Sequence, residues 1–226
     1  MRSVGILGGM GPEATILLMQ KCLSAVPAVD DADHIPLIVH QNPQVPSRIA
    51  ALIDGTGPDP TPVLQSMARD LANAGAVALA MPCNTAHHYA PAIRTATDLP
   101  FLDMLDVTVT ALTNTGARKI GILASPATRI TGVFDAPFAA HELTPIFPPN
   151  EAKTLALIRA VKAGSKGTEV EEALASLAAQ LMDQDCDHIL IACTEFSLLT
   201  AGHGPQIPWT DSLDCLTRAI VDFARS

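Results

Sequence analysis

Two stretches of the chain share one pattern, an apolar run that ends in a cysteine and leads into the start of a helix. In residues 76–85 the cysteine is Cys83, and in residues 189–195 it is Cys193. Two other pairs of similar segments occur in the same order in the two halves of the chain: residues 4–7 with 120–123, and residues 99–103 with 206–211. Similar segments that recur in order at nearly the same offset indicate an internal duplication. The chain is therefore predicted to fold as two similar halves, with one cysteine per half, facing each other across a cleft.

The composition favours the α/β class. Of the 226 residues, 48% are hydrophobic and only 4% are aromatic. Such a composition is typical of parallel strands buried between layers of helices. We predict two similar α/β lobes with short, mainly parallel sheets flanked by helices, related by a pseudo-twofold duplication, with the active site in the interlobe cleft. The first lobe is expected to contain residues 1–100 and 207–226, and the second residues 101–206, so that the final helix, 212–225, returns to the first lobe.

The spacing of apolar residues and the positions of Gly and Pro predict the individual elements. Predicted strands are residues 3–8, 35–39, 76–81, 101–104, 119–124, 143–147 and 187–192. Predicted helices are residues 14–23, 62–74, 89–97, 105–114, 151–163, 168–184 and 212–225. Both cysteines then follow the carboxyl ends of strands, which is where α/β folds bind their ligands.

The charge and the apolar runs exclude several classes of partner. The formal net charge is −9, the isoelectric point is about 5.1, and no basic run occurs, so neither nucleic acid nor an anionic membrane is an expected partner. No apolar run approaches the roughly 18 residues of a spanning helix, and the N-terminus lacks a signal-peptide pattern, so a cytoplasmic protein is expected. The cysteine count of 5 is odd and lacks framework spacing, which indicates reduced thiols.

Cys83 is predicted to lie where a buried strand ends and a helix begins. The partial positive charge of helix-terminal N–H groups favours thiolate over thiol, which makes a cysteine reactive. Three other interpretations of Cys83 and Cys193 remain open from the residues alone. They are a buried structural pair, a redox disulfide without Cys-x-x-Cys spacing, and a zinc site in which His87 joins the two cysteines, with His88 or Glu195 as helper.

Two loops are candidate anion-binding segments. In the turn after the first strand, residues 8–11, the spacing of Gly9, Gly11 and then Ala14 matches a degenerate dinucleotide-binding fingerprint, but the second strand lacks the acidic residue that would bind a ribose. We interpret these glycines as a tight turn whose backbone N–H groups approach a small anion, with a nucleotide as the alternative. Arg48, in the loop after the second strand, is either an anion clamp or a solvated surface residue.

Two thiols that flank a ligand are suited to proton transfer at a carbon centre. Inversion of such a centre needs a base on one face to remove the proton and an acid on the other face to return one. Free cysteine titrates near roughly 8.5, so modest tuning provides one thiolate and one thiol at neutral pH. A duplicated chain with one cysteine in each half supplies this arrangement.

Three motifs carry a resemblance to a known family. They are residues 8–12, Gly-Gly-Met-Gly-Pro, residues 82–87, Pro-Cys-Asn-Thr-Ala-His, and residues 193–195, Cys-Thr-Glu. Together with the duplicated frame, they resemble the cofactor-independent aspartate/glutamate racemase family, and its aspartate racemase branch in particular. The resemblance spans essentially the whole chain. It implies an isomerase that interconverts L- and D-aspartate without pyridoxal phosphate or a metal, and that forms a homodimer.

The resemblance also implies roles for individual residues. Cys83 and Cys193 would be the catalytic acid/base pair, each serving one enantiomer. The implied substrate-binding residues are Asn84, Thr85 and Thr194 for the α-carboxylate and amino groups, Arg48 and Lys162 for the acidic side chain, Met10 and Thr128 in the pocket wall, and Glu195 beside the second thiol. The expected partner is therefore a small acidic amino acid.

One departure from the family pattern bears on the substrate. Around the loop arginine the family often has Pro-Asp-Arg-Thr, whereas this chain has Pro46, Ser47, Arg48 and Ile49. The missing aspartate removes a brace for the guanidinium, so glutamate or a broader range of amino acids remains an alternative substrate. Two cysteines argue against the one-thiol decarboxylases of the superfamily, and two cationic residues favour a diacid over a hydantoin. A non-catalytic amino-acid-binding module is the alternative outside the enzymes.

Overall fold

The computed structural model, which describes residues 1–200 and 207–226, contains two four-stranded parallel sheets. The strands of the first sheet are β1 (Val4–Gly8), β2 (Leu37–Gln41), β3 (Ala78–Ala80) and β4 (Phe101–Leu102). The strands of the second sheet are β5 (Lys119–Ala124), β6 (Thr144–Ile146), β7 (His188–Ala192) and β8 (Trp209–Asp211). Their orders are β2-β1-β3-β4 and β6-β5-β7-β8. The predicted α/β fold is confirmed, and the equivalent strand orders are what a duplication predicts.

Helices flank both sheets. The α-helices are α1 (Pro12–Ser24), α2 (Arg48–Leu52), α3 (Thr61–Asn73), α4 (Ala90–Arg94), α5 (Met104–Thr113), α6 (Pro126–Ile130), α7 (Asp135–Ala140), α8 (Glu151–Lys162), α9 (Thr168–Met182), α10 (Thr194–Thr200) and α11 (Ser212–Arg225). Short 3-10 helices occupy Asp31–Asp33 and Thr85–Tyr89. Within the described residues, no helix combines the length and the apolar character that crossing a membrane requires.

Side chains of β1 alternate between the two faces of the first sheet. Val4 and Ile6 pack with Leu216 of α11 on one face, whereas Leu7 packs with Leu64 of α3 on the other. All of these side chains are fully buried, and each contributes roughly 1.5–3 kcal/mol through its removal from water. Because helices cover both faces, the strand is a continuous apolar run, as expected for a parallel sheet.

Two helices cross from one sheet to the other. Helix α5 follows β4 of the first sheet, but its Val109 packs with Ile122 of the second sheet. Helix α11 follows β8 of the second sheet, but its Leu213 and Ile220 pack with Ile6 of the first sheet. The final helix therefore returns to the first sheet, and the exchange of α5 and α11 holds the two lobes together through shared apolar packing.

The strand pairing shows that the chain passes from one lobe to the other a few residues later in the sequence than the expected lobe bounds. The second lobe is expected to start at residue 101, yet β4, which contains residue 101, pairs with β3 in the first sheet. Likewise β8 pairs with β7 in the second sheet, although residues 207–226 are expected in the first lobe. Each crossover helix instead begins after a capping aspartate, Asp103 for α5 and Asp211 for α11. Residue 206, the expected end of the second lobe and the start of one repeated segment, lies outside the described residues.

The segment after Cys83 differs from the single helix expected there. It forms the 3-10 helix Thr85–Tyr89 and then the short helix α4, which ends at Arg94 rather than at residue 97. Pro91 has no N–H group to continue the hydrogen bonds of the preceding turn, so the two short helices remain separate. The helix start predicted after Cys83 is therefore a 3-10 helix, and the helix predicted at residues 89–97 is confined to Ala90–Arg94.

The topology places the sequence motifs at one edge of each sheet. In both sheets the connections leave in opposite directions from the two central strands, which opens a crevice at their carboxyl ends. In the first sheet this crevice receives the glycine turn 8–11 and Cys83. In the second sheet it receives Ser125 and Cys193. The two crevices contribute to one site between the lobes.

Candidate active site

A small cavity of about 40 Å³ lies between the lobes, and both thiols border it. Cys83 is 8% exposed and Cys193 is 6% exposed, so each is largely shielded from water. Every predicted site residue except Thr128 borders this cavity. Residues that the sequence prediction did not include also border it: Ser47, Ile49, Ser125, Ile158 and Ala192.

The backbone at Cys83 is fixed by His87, one helical turn later. Nδ1 of His87 lies 2.8 Å from the carbonyl oxygen of Cys83, and the Met104 N–H donates to Nε2 of His87 at 3.1 Å. Because Nε2 accepts, Nδ1 carries the proton and donates to Cys83, and burial lowers the pKa of this imidazole. Both ring nitrogens are therefore engaged, which argues against the zinc interpretation. In the described part of the chain, no cluster of three or more His, Cys, Asp or Glu side chains is arranged for a metal.

The thiol of Cys193 has a carboxylate partner. Its Sγ donates to Oε2 of Glu195 at 3.0 Å, and Oε1 of the same carboxylate lies 3.3 Å from Nζ of Lys162. Burial and then the negative charge of Glu195 raise the pKa of the Cys193 thiol well above its ordinary value. Cys193 is therefore held in its protonated form, as a proton donor, while Lys162 compensates the carboxylate.

Asn84 borders the cavity and has a buried amide oxygen without a partner in the described residues. Its Nδ2 donates to Oγ of Ser212 at 2.9 Å, and that hydroxyl donates to the carbonyl of Ile191 at 3.0 Å. Its Oδ1 is buried and has no hydrogen-bond partner among the described residues. A buried acceptor without a partner is costly, so this oxygen is available to an ammonium group that enters the cavity. Sequence reasoning missed Ser212, which lies far along the chain with no local motif.

Thr128 lies outside the cavity wall, contrary to the role expected for it. Its hydroxyl pairs with the hydroxyl of Thr85 at 2.7 Å, and this bond joins helix α6 of the second lobe to the segment after Cys83 in the first lobe. Thr85 itself borders the cavity. The correction follows from this bond: Thr128 uses its polar group to hold Thr85 and the two lobes rather than to face a ligand.

Arg48 opens helix α2 with its guanidinium at the cavity. Nη1 donates to the carbonyl of Pro46 at 2.9 Å, and Nε is buried with no partner in the described ranges. Ser47, which stands where the family often has aspartate, instead caps α2 by accepting from the Ala50 N–H at 3.3 Å. A backbone carbonyl therefore holds the guanidinium in place of the missing carboxylate, and Nε–H remains available to an anion.

The glycine turn after β1 serves packing as well as the cavity. Gly9 has a φ of 93°, and a Cβ at this position would overlap the backbone of Asn42. The N–H of Gly9 donates to Oγ1 of Thr15 at 2.9 Å, so this donor is occupied within the protein. Met10, the next residue, borders the cavity. The turn therefore contributes the Met10 side chain to the site, and the Gly9 N–H is not available to bind an anion.

The two halves repeat a buried contact behind each cysteine. His87 stands four residues after Cys83, and its Nε2 accepts from the N–H of Met104, the first residue of α5, at 3.1 Å. Ser197 stands four residues after Cys193, and its Oγ donates to Oδ1 of Asp211 at 2.9 Å. In each case the partner lies at the start of a crossover helix, Met104 of α5 or the capping Asp211 of α11, so the end of each cysteine segment is tied to the start of the exchanged helix.

Comparison with known proteins identifies the family of this chain. Residues 7–220 match the family model described as Asp/Glu/hydantoin racemase. A curated relative from Bacillus subtilis (strain 168), the broad specificity amino-acid racemase RacX, is 26% identical over 96% of this chain and 96% of its own length.

Solved structures show the same architecture. The Picrophilus torridus aspartate racemase superposes with a TM-score of 0.87 at 26% identity, covering 100% of this chain and 95% of that one. A glutamate racemase from Francisella tularensis, solved with D-glutamate, shares the fold with a TM-score of 0.68 at 16% identity, covering 98% of this chain and 80% of that one. The family match covers nearly the whole chain, and this protein belongs to the Asp/Glu/hydantoin racemase family of isomerases.

Proposed function

We propose that this racemase interconverts L- and D-aspartate by proton transfer. One of the two thiols, Cys83 or Cys193, removes the α-proton of the substrate, and the other returns a proton to the opposite face. The observation that carries the proposal is that both thiols, one from each lobe, border a single cavity that also contains cationic side chains. The equivalent positions of the two cysteines in the duplicated halves support an approach to the substrate from opposite faces. Two-base proton transfer requires that arrangement.

The reaction balances without a further reactant. The thiolate of one cysteine takes the α-proton, so that an S–H bond forms while the C–H bond breaks and its electron pair remains on the carbon and the α-carboxylate. The thiol of the other cysteine then returns a proton to the opposite face, and its S–H bond breaks as the new C–H bond forms. For the opposite enantiomer the two cysteines exchange roles. The thiol pair supplies both base and acid, and the proposal includes neither pyridoxal phosphate nor a metal.

The polar groups at the cavity fit the two ends of an acidic amino acid. The partnerless Oδ1 of Asn84 suits the α-ammonium, and the hydroxyls of Thr85 and Thr194 suit the α-carboxylate. The buried Nε–H of Arg48 and the ammonium of Lys162 suit the side-chain carboxylate. Charge-assisted hydrogen bonds of this kind favour a diacid over a neutral amino acid.

The cavity is small in this structure, so substrate entry requires the cleft to widen. Its volume of about 40 Å³ is far below the roughly 300 Å³ at the lower end of small-molecule sites. The hydroxyl pair Thr85–Thr128 joins the two lobes beside the cavity and is one contact that must lengthen on opening. Closure around a bound substrate removes water from the reacting carbon, which strengthens the interactions of the charged groups.

An exchange screen tests the proposal and its substrate range together. The purified protein is incubated in deuterated water with each of the twenty standard amino acids, and α-deuterium and chirality are measured in the recovered amino acid. Aspartate is expected to take up deuterium at Cα while its enantiomer accumulates. A protein that only binds amino acids would leave every α-proton in place, and that result would refute the proposal.

Broader specificity is the second candidate function, and two observations favour it. The curated relative is named as a broad specificity racemase. In addition, Ser47 stands at the position of the family's aspartate, so Arg48 is held by a carbonyl rather than by a charged brace. Comparable exchange rates for aspartate, glutamate and neutral amino acids in the same screen would select this candidate over an aspartate racemase.

We also propose a homodimer, as the family resemblance implies. Helix α1 exposes Ile16, Met19 and Leu23, which share one face, beside an apolar groove of about 450 Å³. This face was not recognised in the sequence, because the buried residues of α1 lie between these positions. Sedimentation of the wild type is expected to give a dimer that the Leu23→Glu variant weakens. A wild-type monomer would contradict the assembly without affecting the proposed reaction.

A further inference from the structure

A second cavity shares Lys162 and Glu195 with the substrate cavity. Its volume is about 310 Å³, and it lies between the first turn of α1, the end of α8 and helix α10. Its rim includes Ala163 and Gly164, which are exposed, so the cavity reaches the surface. One water needs only roughly 15 Å³ of such space, so the second cavity is large enough to hold several.

Glu195 lies between the two cavities with one oxygen toward each. Oε2 accepts from the Cys193 thiol at 3.0 Å. Oε1 lies 3.3 Å from Nζ of Lys162, and it is also the atom that a Cβ on Gly11, in the wall of the second cavity, would approach at 3.7 Å. The carboxylate therefore connects the buried thiol with a separate route to water.

The proposed reaction creates a need for such a route. One conversion transfers a proton to the first thiol and removes one from the second, so the free enzyme emerges in the state that accepts the opposite enantiomer. It returns by the reverse reaction or by exchange of the thiol protons with water. Cys193 is 6% exposed, and the substrate cavity measures only about 40 Å³, so direct exchange through the closed cleft is restricted.

We propose that Glu195 exchanges the Cys193 proton with water in the second cavity and so completes the Cys193 half of the reset between turnovers, while Cys83 exchanges its own proton through the substrate cavity, which it borders. In one direction the S–H bond breaks as an O–H bond forms at Oε2, which leaves a thiolate and a neutral carboxyl group. Rotation of the neutral carboxyl group turns this O–H toward the second cavity, where the bond breaks as the proton passes to a water and on to bulk solvent. The reverse sequence reloads the thiol, and Lys162 stabilises the carboxylate before the first step and after the second.

The test blocks the second cavity without changing the cavity that holds the substrate. Ala163 is exposed at the end of α8 and borders only the second cavity. Ala163→Leu and Ala163→Phe fill that space in two steps, and Ala152→Phe, an exposed position at the other end of α8, is the matched control. Initial rates are measured separately from pure L- and pure D-aspartate, or from the amino acid that exchanges fastest in the screen.

The expected result is a split between kinetic parameters. A slow reset lowers kcat but not kcat/KM, because kcat/KM reports only the steps up to the transition state from the competent free enzyme. We expect kcat to fall in order of side-chain size, by about tenfold for Ala163→Phe, with kcat/KM nearly unchanged. Inhibition by the opposite enantiomer should become noncompetitive, and Ala152→Phe should behave as the wild type.

Other outcomes overturn the inference. They are an unchanged kcat in both Ala163 variants, an equal loss of kcat and kcat/KM, or the same loss in Ala152→Phe. Thermal unfolding of each variant identifies a loss caused by misfolding, and Ala163→Leu provides the comparison if the larger side chain reduces folding. The inference rests on the proposed racemisation. Absence of racemisation in the wild type would refute that function, whereas racemisation with an insensitive kcat would refute the relay alone.

Discussion

Cys83 and Cys193 occupy equivalent positions in the two halves but have different neighbours. Two residues after Cys193 stands Glu195, whose carboxylate accepts from the thiol at 3.0 Å. Two residues after Cys83 stands Thr85, whose hydroxyl is paired with Thr128. A carboxylate beside a thiol favours the neutral form. The residue at the second position after the cysteine, glutamate in one half and threonine in the other, thus favours the protonated form of Cys193 in the free enzyme.

Removal of the cationic groups should affect acidic substrates more than neutral ones. Arg48→Ala and Lys162→Ala each delete a charge-assisted partner of a side-chain carboxylate, a loss of roughly 1.5–3 kcal/mol. We expect KM for aspartate to rise about tenfold or more, with a much smaller change for alanine if alanine is turned over. Steady-state kinetics of both substrates provide the measurement, and Arg69→Ala, an exposed position on α3, is the control. Equal effects on both substrates would contradict the carboxylate clamp.

Asp211 is a buried carboxyl group whose ionised form destabilises the folded protein at high pH. Burial, with a contribution from Asp214, raises its pKa to about 7, and Oδ2 has no partner within the described residues. In the unfolded chain the group titrates near about 3.9, so between these values the folded state binds a proton that the unfolded state releases. Stability from this group is therefore present at acidic pH and is lost as the pH rises through about 4 to 7.

The Asp211→Asn variant should remove that loss. Asparagine keeps an oxygen to accept from the Leu213 N–H and from Ser197, but it carries no charge. We expect the variant to be more stable than the wild type by about 1–4 kcal/mol at pH 8, with the difference vanishing near pH 4. Urea unfolding across this pH range measures it, with the exposed Asp222→Asn on the same helix as control. A wild type that gains stability toward pH 8 relative to the variant would contradict this account.

At the scale of the elements, the turn between β1 and α1 requires glycine more strictly than other turns do. Gly9 and Gly116 both have positive φ, but a Cβ on Gly9 would overlap the Asn42 backbone, whereas a Cβ on Gly116 would meet nothing within 4 Å. We expect Gly9→Ala to lower the free energy of unfolding by more than about 2 kcal/mol, and Gly116→Ala by about 1 kcal/mol. Chemical denaturation compares the two, and equal losses would refute the steric argument.

Apolar pattern and turn residues predicted most elements, and the exceptions have local causes. The strand expected at residues 35–39 lies at Leu37–Gln41, because Pro36 has no N–H for the ladder and offers only its carbonyl, which accepts from the Val4 N–H. The helix predicted at residues 89–97 is separate from the 3-10 helix before it, because Pro91 in its first turn also lacks an N–H. Both prolines were visible in the sequence, so a stricter weighting of the missing N–H would have found them.

Within the site, the sequence motifs predicted the residues that directly follow strands. They did not predict residues that reach the site through contacts between distant parts of the chain. Cys83 and Cys193 were predicted because strand ends in a duplicated parallel fold converge on one edge. Ser212, which fixes the amide of Asn84, and the Thr85–Thr128 pair depend on how one lobe packs against the other. No local pattern encodes that packing, so Thr128 was assigned to the wall of the cavity instead of to the contact behind it.

At the scale of the whole molecule, the duplication explains why one site forms between two lobes. Each half ends its central strand in a cysteine, and each sends a helix, α5 or α11, to cover the other half. The exchanged helices begin at Met104 and Ser212, and Met104 and the capping Asp211 bond to the segments that follow the two cysteines. The position of each thiol is therefore coupled to the packing of the opposite lobe.

The central claim, that two thiols share one proton transfer, is tested most directly by serine substitution of each cysteine and of both. Racemisation and α-deuterium uptake are measured from each pure enantiomer in deuterated water. The account predicts that Cys83→Ser and Cys193→Ser each lose racemisation by about 10²–10⁴-fold, while the remaining thiol still exchanges the α-proton of one enantiomer, a different one in each variant. The double variant should show neither activity. Racemisation at the wild-type rate in the double variant would contradict the account.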